Sequence, residues 1–238
     1  MADYTYVNPF NTVLHQPEMQ QNSLYICDYY RSRNLMTVNA IAGMLGNFES
    51  ESTINPNRVE NTAISRWPNW GNYGYGLAQW TPWYTKQKND GSWYDPANYH
   101  GTNSPTYGYW AEKKGYLPDA STGGTIGQMD IQLEYLNLGL GGWTNDSGYF
   151  KMRWSEFKAS TWAASELAKV FYRNYERSAS GSYGNRPANG TKWYNYLVEN
   201  YKPGGGPPPG PEPGGPGAWV PKSSKFIYYM PGRWKTWR

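Results

Sequence analysis

The chain has 238 residues, a formal net charge of +4 and a single cysteine, Cys27, so no intrachain disulfide framework exists and packing alone must hold the fold. Lys and Arg are spread without a dense basic run, which argues against nucleic acid as the partner. No stretch approaches the ~18 consecutive apolar residues of a membrane-spanning helix, and residues 1–6 lack the basic and apolar regions of a secretory signal.

In chain order, residues 18–33 are predicted to form a helix carrying Leu24, Tyr25, Cys27 and Tyr29. Residues 37–51 follow as a second helix, with Val38, Ile41, Ala42, Leu45 and Phe48 on one arc at helical spacing. Asn34 breaks the chain before it, and Pro56 forbids its continuation. Residues 57–125, rich in Gly, Pro, Asn, Tyr and Trp, read as loops with a few short strands and are the part expected to line a cleft. A helix is predicted at 126–138 (Met129, Leu133, Leu136). A long one follows at 155–175, capped by Ser155 with Glu156 in its first turn and Phe157, Trp162, Leu167, Val170 and Phe171 as its apolar repeat. The last spans 189–201. Residues 203–217 are almost all Pro and Gly, a linker that cannot build a core. The tail, 218–238, is basic and aromatic and too short to fold alone. The chain therefore divides into a domain at 1–202, a linker at 203–217 and a tail at 218–238.

Aromatic residues are the compositional excess, with 13 Trp and 23 Tyr. Flat rings stack on sugars and bases, but they also fill the cores of loop-rich proteins, and both uses are expected here. The helix at 37–51 ends on two acids, Glu49 and Glu51. A carboxyl group held at a helix end against apolar walls keeps its proton to higher pH and can protonate a leaving oxygen near neutrality. On a helix the two point roughly 200° apart, so only one faces a given cleft. The helical wheel puts Glu49 nearer the centre of the apolar arc and Glu51 on its flank, which does not choose between them.

Three segments carry a resemblance: Ala42-Gly-x-Leu-Gly-Asn47, then Glu51-Ser-x-x-Asn-Pro56, then Tyr75-Gly-Leu-Ala-Gln-Trp80. Together they resemble the phage tail lysozymes, and the last two are also similar to soluble lytic transglycosylases and goose-type lysozymes. Phe171-Tyr-Arg-Asn-Tyr-Glu-Arg177 and Arg186-Pro-Ala look like the tail-lysozyme closing segment. The resemblance covers roughly residues 15–202. It implies a mainly helical α+β, lysozyme-like fold with a small loop and strand lobe. It also implies cleavage of the β-1,4 bond between N-acetylmuramic acid and N-acetylglucosamine in peptidoglycan.

By that resemblance Glu51 is the general acid, and Gln79 matches a substrate-contacting glutamine. Tyr75, Trp80, Trp83 and Tyr84 are candidate sugar platforms, each equally explicable as core. Asn47, one turn before Glu51, is placed to hydrogen-bond it. Tyr175 and Glu176 fall where a group could stand behind the acid. A second carboxylate, if the reaction uses one, is to be sought among Glu60, Asp90, Asp95 and Asp119. Hydrolysis and 1,6-anhydro-forming chemistry both stay open. No cofactor or metal is implied. The expected partners are cell-wall peptidoglycan and, through the tail, other phage tail proteins, with no nucleic acid and no membrane. The expected location is the virion tail tip, or the host cytoplasm before lysis.

Three rival readings remain. A zinc peptidase lacks its ligand pattern, since His15 and His100 are the only histidines. A cysteine peptidase would need Cys27, which sits on an apolar helical face. A non-catalytic wall-binding or tail protein suits the aromatics, linker and basic end.

Overall fold

A computed structural model describes residues 4–69, 72–86, 105–146, 148–177 and 182–202. Its helices are α1 (Gln16–Arg31), α2 (Val38–Ser52), α3 (Tyr107–Lys113), α4 (Met129–Asn137), α5 (Trp154–Ala159), α6 (Ala164–Asn174) and α7 (Arg186–Asn200), with short 3-10 turns at Asn61–Arg66 and Thr125–Gly127. The fold is mainly helical. Strands are almost absent: among the described residues the only β contacts are isolated antiparallel bridges, Val59 with Tyr75 and Tyr75 with Trp80. The short strands expected within 57–125 are therefore not formed among its described residues. The linker and tail lie outside the described residues. No described helix is long and apolar enough to cross a membrane.

Helix α2 is the centre of the molecule. Thr37 starts it by accepting the Ala40 N–H at 3.2 Å, one of the donors a helix start leaves open. Val38, Ile41, Leu45 and Phe48 are all buried, and the Phe48 ring meets Phe171 edge-on at 5.7 Å. Each such side chain contributes about 1.5–3 kcal/mol by leaving water. The two glycines of the first motif let α6 and α7 press against α2. A Cβ at Gly43 would lie 2.8 Å from Leu167 Cβ, and one at Gly46 would lie 2.6 Å from the Arg186 carbonyl oxygen and 2.7 Å from Gly190 N. Both are closer than side chains tolerate, so backbones meet here only because the side chains are missing.

The end of α2 is a left-handed turn made from unusual residues. Thr53 has φ 55° and Ile54 has φ 57°, a region that β-branched side chains seldom adopt. The surroundings hold it: the Ile54 N–H donates to Phe48 O at 3.1 Å, Leu14 N–H donates to Thr53 Oγ1 at 2.9 Å, and Ile54 itself is fully buried. Asn55 is buried and donates to the carbonyls of Pro9 and Thr12 at 2.9 and 2.8 Å, so Asn-Pro of the second motif staples the N-terminal segment down.

The region predicted as one helix at 155–175 is two, α5 and α6, separated by residues 160–163. Ser155 is not the cap. Arg153 precedes α5, and the Glu156 carboxylate accepts the Arg153 N–H at 2.7 Å. At the break, Ser160 Oγ accepts the Trp162 N–H at 3.2 Å and Ser160 O accepts the Thr37 hydroxyl. Local serine bonding competes with helix continuation, and a tertiary bond reinforces it.

Candidate functional site

Two residues apart on α2, Glu49 and Glu51 enter different surroundings. Glu49 turns to α7, where its carboxylate accepts from Lys192 Nζ at 2.6 Å and from Trp193 Nε1 at 2.8 Å. It is a tie between helices. Glu51 faces a cleft of about 210 Å³ that it lines with Arg58, Val59, Glu60, Asn61, Thr62 and Gln79. Its side chain keeps 24% of its exposure. Next to it, Ser52 Oγ donates to Leu77 O at 2.9 Å, which fastens the Gly-Leu-Ala-Gln loop to the helix end. Loop and acid are therefore positioned as one unit.

The loop is shaped by Gly76, at φ 79°, where a Cβ would lie 2.7 Å from both Gln132 Oε1 and the Trp80 ring. Gln132, buried on α4, accepts the Leu77 N–H at 2.9 Å and donates to Pro56 O, so it bridges the second and third motifs. Gln79 follows in the left-handed region at φ 45° and faces the cleft. Its amide nitrogen donates to Arg58 O and Gly76 O, both at 3.1 Å.

The other candidates do not join this cleft. Tyr75 is fully buried and donates its hydroxyl proton to Asn57 Oδ1 at 2.9 Å. Trp80 is core, stacked on Tyr107 with centroids 4.6 Å apart, and its Nε1 donates to the Tyr175 hydroxyl at 2.8 Å. Trp83 is fully buried beside Trp67, and Tyr84 is buried with its hydroxyl on Glu112. These rings take the place of strands in packing the lobe rather than forming sugar platforms. Asn47 is also buried: its amide donates to Gly43 O at 2.9 Å and Ala168 O at 3.0 Å, tying α2 to α6 rather than supporting Glu51.

Of the four possible second carboxylates, Asp90 and Asp95 lie outside the described residues. Asp119 is a turn residue whose carboxylate accepts from Ser121 and Thr122, bonds that hold its pKa well below the usual range. Glu60 lines the cleft with Glu51. It accepts the Gly74 N–H at 2.8 Å and the Thr62 hydroxyl at 2.7 Å, and these bonds hold its pKa below the ordinary carboxyl value.

Behind Glu51 stands a cluster that spacing could not reveal. Arg186, the first residue of α7, donates from Nη2 to Glu51 Oε1 and lies over the Tyr172 ring at 4.4 Å. Its Nε is 3.5 Å from Glu176 Oε2, and the Glu176 side chain is only 9% exposed. Burial, then the nearby Glu51 charge, push the Glu176 pKa well above its ordinary value, with Arg186 opposing. Burial that raises a carboxyl pKa is thus found at Glu176, while the Glu51 side chain beside it opens onto the cleft. The only sequence signal was the likeness of 171–177 and 186–188 to a closing motif.

Cys27 is buried and its thiol pKa is pushed up by desolvation, the reverse of an activated nucleophile. His100 lies outside the described residues. Among the described residues, no group of three or more His, Cys, Asp or Glu could hold a metal ion.

Fold and site together define a helical domain with an acid at the end of its central helix and a polar loop facing it. The phage tail lysozyme family matches residues 21–197, and the chain belongs to that family. It is also similar to "Morphogenesis protein 1" of Bacillus phage B103, 33% identical over 194 residues, covering 79% of this chain and 42% of that protein. The chain thus spans less than half the length of this relative.

Proposed function

We propose that the chain cleaves peptidoglycan glycan strands at the β-1,4 bond between N-acetylmuramic acid and N-acetylglucosamine, with Glu51 as general acid. The observation that carries this reading is the division of labour at the end of α2: Glu51 opens onto the cleft while Glu49 is committed to Lys192 and Trp193. Glu51 protonates the glycosidic oxygen as the bond to the anomeric carbon breaks, and the positive charge that develops is captured by water or by a group of the substrate itself. Gln79, its amide nitrogen held by the loop, offers Oε1 to a sugar amide or hydroxyl. The protein would work on a virion tail or be released at lysis, with the segment after residue 202 docking to tail proteins or wall.

The test is mass spectrometry of soluble products from Gram-positive peptidoglycan treated with wild type and with Glu51→Gln. Muropeptides with reducing ends mean hydrolysis, and 1,6-anhydro ends mean lytic transglycosylation. Glu51→Gln should lose about 100-fold or more of the rate, the usual contribution of a general acid. A variant that retains more than a few per cent of wild-type cutting sinks the assignment. The relative's printed name, a morphogenesis protein, favours a second reading, a non-catalytic tail component. Wild-type protein that binds wall and releases nothing would establish that reading.

A further inference from the structure

In the Glu51, Glu176 and Arg186 cluster one guanidinium meets two carboxyl groups, donating from Nη2 to Glu51 and standing with Nε 3.5 Å from Glu176 Oε2, so the two carboxyl groups are gathered at one side chain. Two ionised carboxylates cannot hydrogen-bond, because neither has a donor. Glu176 is nearly buried, its Oε2 faces only the Arg186 Nε at 3.5 Å, and its Oε1 has no hydrogen-bond partner among the described residues. A second negative charge would have to be buried against one already present. One proton between the pair removes both problems and leaves one negative charge for Arg186.

We infer that Glu176 is a positioning residue that stores the catalytic proton for Glu51, with Arg186 as the counter-ion shared by the two carboxylates. The inference rests on the glycosidase reading given above. In the resting site Glu176 carries the proton and donates it to the Glu51 carboxylate, which Arg186 also holds. As the glycosidic bond breaks, the Glu176 proton passes to Glu51 and on to the leaving oxygen, so both carboxylates are charged, facing Arg186 and the developing sugar cation, until the cation is captured. The Glu176 carboxylate then pairs with Arg186, 3.5 Å away in the resting geometry. Capture of the sugar cation by water, or by a substrate hydroxyl, releases one proton, which restores the pair. The other charged and titratable groups around the cluster are Tyr172 beneath Arg186, Tyr175 and Arg177 beside Glu176 in the chain, and Arg58 and Glu60 on the facing wall of the cleft. None of them has a hydrogen bond to Glu176.

The experiment uses the full chain carrying carbon-13 at the glutamate carboxyls. In wild type, NMR titration should show one glutamate still protonated above the ordinary carboxyl range, and Glu176→Gln should abolish that signal. The amide of Glu176→Gln keeps the shape and can donate to Glu51, so folding should survive, but it cannot pass a proton on. Its rate of glycan cleavage at neutral pH should fall at least about tenfold. The alkaline limb of its rate profile should move about one pH unit or more toward acid, a change that loss of a merely structural contact would not produce. A wild-type titration confined to the ordinary range overturns the stored proton. An unshifted profile in Glu176→Gln overturns its use by Glu51. A raised titration in a wild-type protein that cuts no glycan overturns the glycosidase reading and, with it, the catalytic use of the proton.

Discussion

The two walls of the cleft are built on opposite principles. The helical wall, from α2, α6 and the start of α7, is dense: backbones touch at Gly43 and Gly46, and its charged groups pair with one another with little exposure. The loop wall, from Arg58 to Thr62 and Gln79, is open and polar, and its side chains are anchored mainly to backbone, as when Glu60 accepts the Gly74 N–H and Gln79 donates to Arg58 O. A proton's affinity is set most strongly where water is excluded, so the helical wall is where a carboxyl pKa, that of Glu176, is raised. Shape is set where backbone is pinned, so the loop wall governs what fits against it. Changes on the helical wall should therefore move rates and pH profiles, while changes on the loop wall should move affinity.

The largest stability effect should come from Trp193→Ala on the helical wall. It empties a fully buried site and frees Glu49, and should cost about 3–5 kcal/mol, read as a fall in melting temperature. Gly46→Ala forces a Cβ against the Arg186 carbonyl and should cost about 1–3 kcal/mol. Because it pushes the residue that holds Glu51, it should also reduce kcat, a loss that a stable variant with wild-type kcat would contradict.

On the loop wall, Glu60→Ala strands the Gly74 N–H and should cost about 1–2 kcal/mol, with KM rising more than kcat falls. A collapse of kcat comparable to that of Glu51→Gln would instead mark Glu60 as the second carboxylate of a hydrolytic reaction. Glu49→Gln should be mildest, since it keeps the Trp193 bond and loses only a half-exposed ion pair. It should cost about 0.5–1 kcal/mol and leave cutting within about twofold.

Titrating the fold sharpens the same contrast. Glu176, with a raised pKa in the folded state, lets stability stand in full below the ordinary glutamate value and erodes it as pH rises toward its own. Glu60, with a lowered pKa, contributes stability above the ordinary value and loses it as pH falls through its own. Melting temperature against pH for Glu176→Gln and Glu60→Gln should diverge in opposite directions from wild type.

Much of the helical wall could be read from sequence. The apolar arc from Val38 to Phe48 predicted α2 to within a residue at each end, because a helix buried on most sides has little else it can be. The choice of Glu51 over Glu49 was not readable from that arc. It depends on α7, nearly 140 residues on, which supplies Lys192 and Trp193 to one acid and Arg186 to the other. Helix α7 starts at Arg186, three residues before the predicted 189, with Pro187 in its first turn, where proline is favoured. The loop wall was the least legible. Tyr75, Trp80 and Trp83 have the composition of sugar platforms and are core, because a lobe whose described residues form almost no strands needs large rings to fill it. Helix α3 hides in the same aromatic stretch.

The left-handed turn at Thr53 and Ile54 bears on the order in which the molecule assembles. An isolated α2 would not hold two β-branched residues in that conformation, which costs about 1–3 kcal/mol per residue unless its surroundings impose it. The imposing partners, the Leu14 N–H and the packing around Ile54, arrive only when the N-terminal segment and the loop lobe have docked. The first turns of α2 can therefore form early with α6 and α7, while the last turn, bearing Glu51, closes late. Substitutions at Thr53 should accelerate unfolding with little effect on the folding rate, whereas Leu45 and Phe48 should belong to the nucleus.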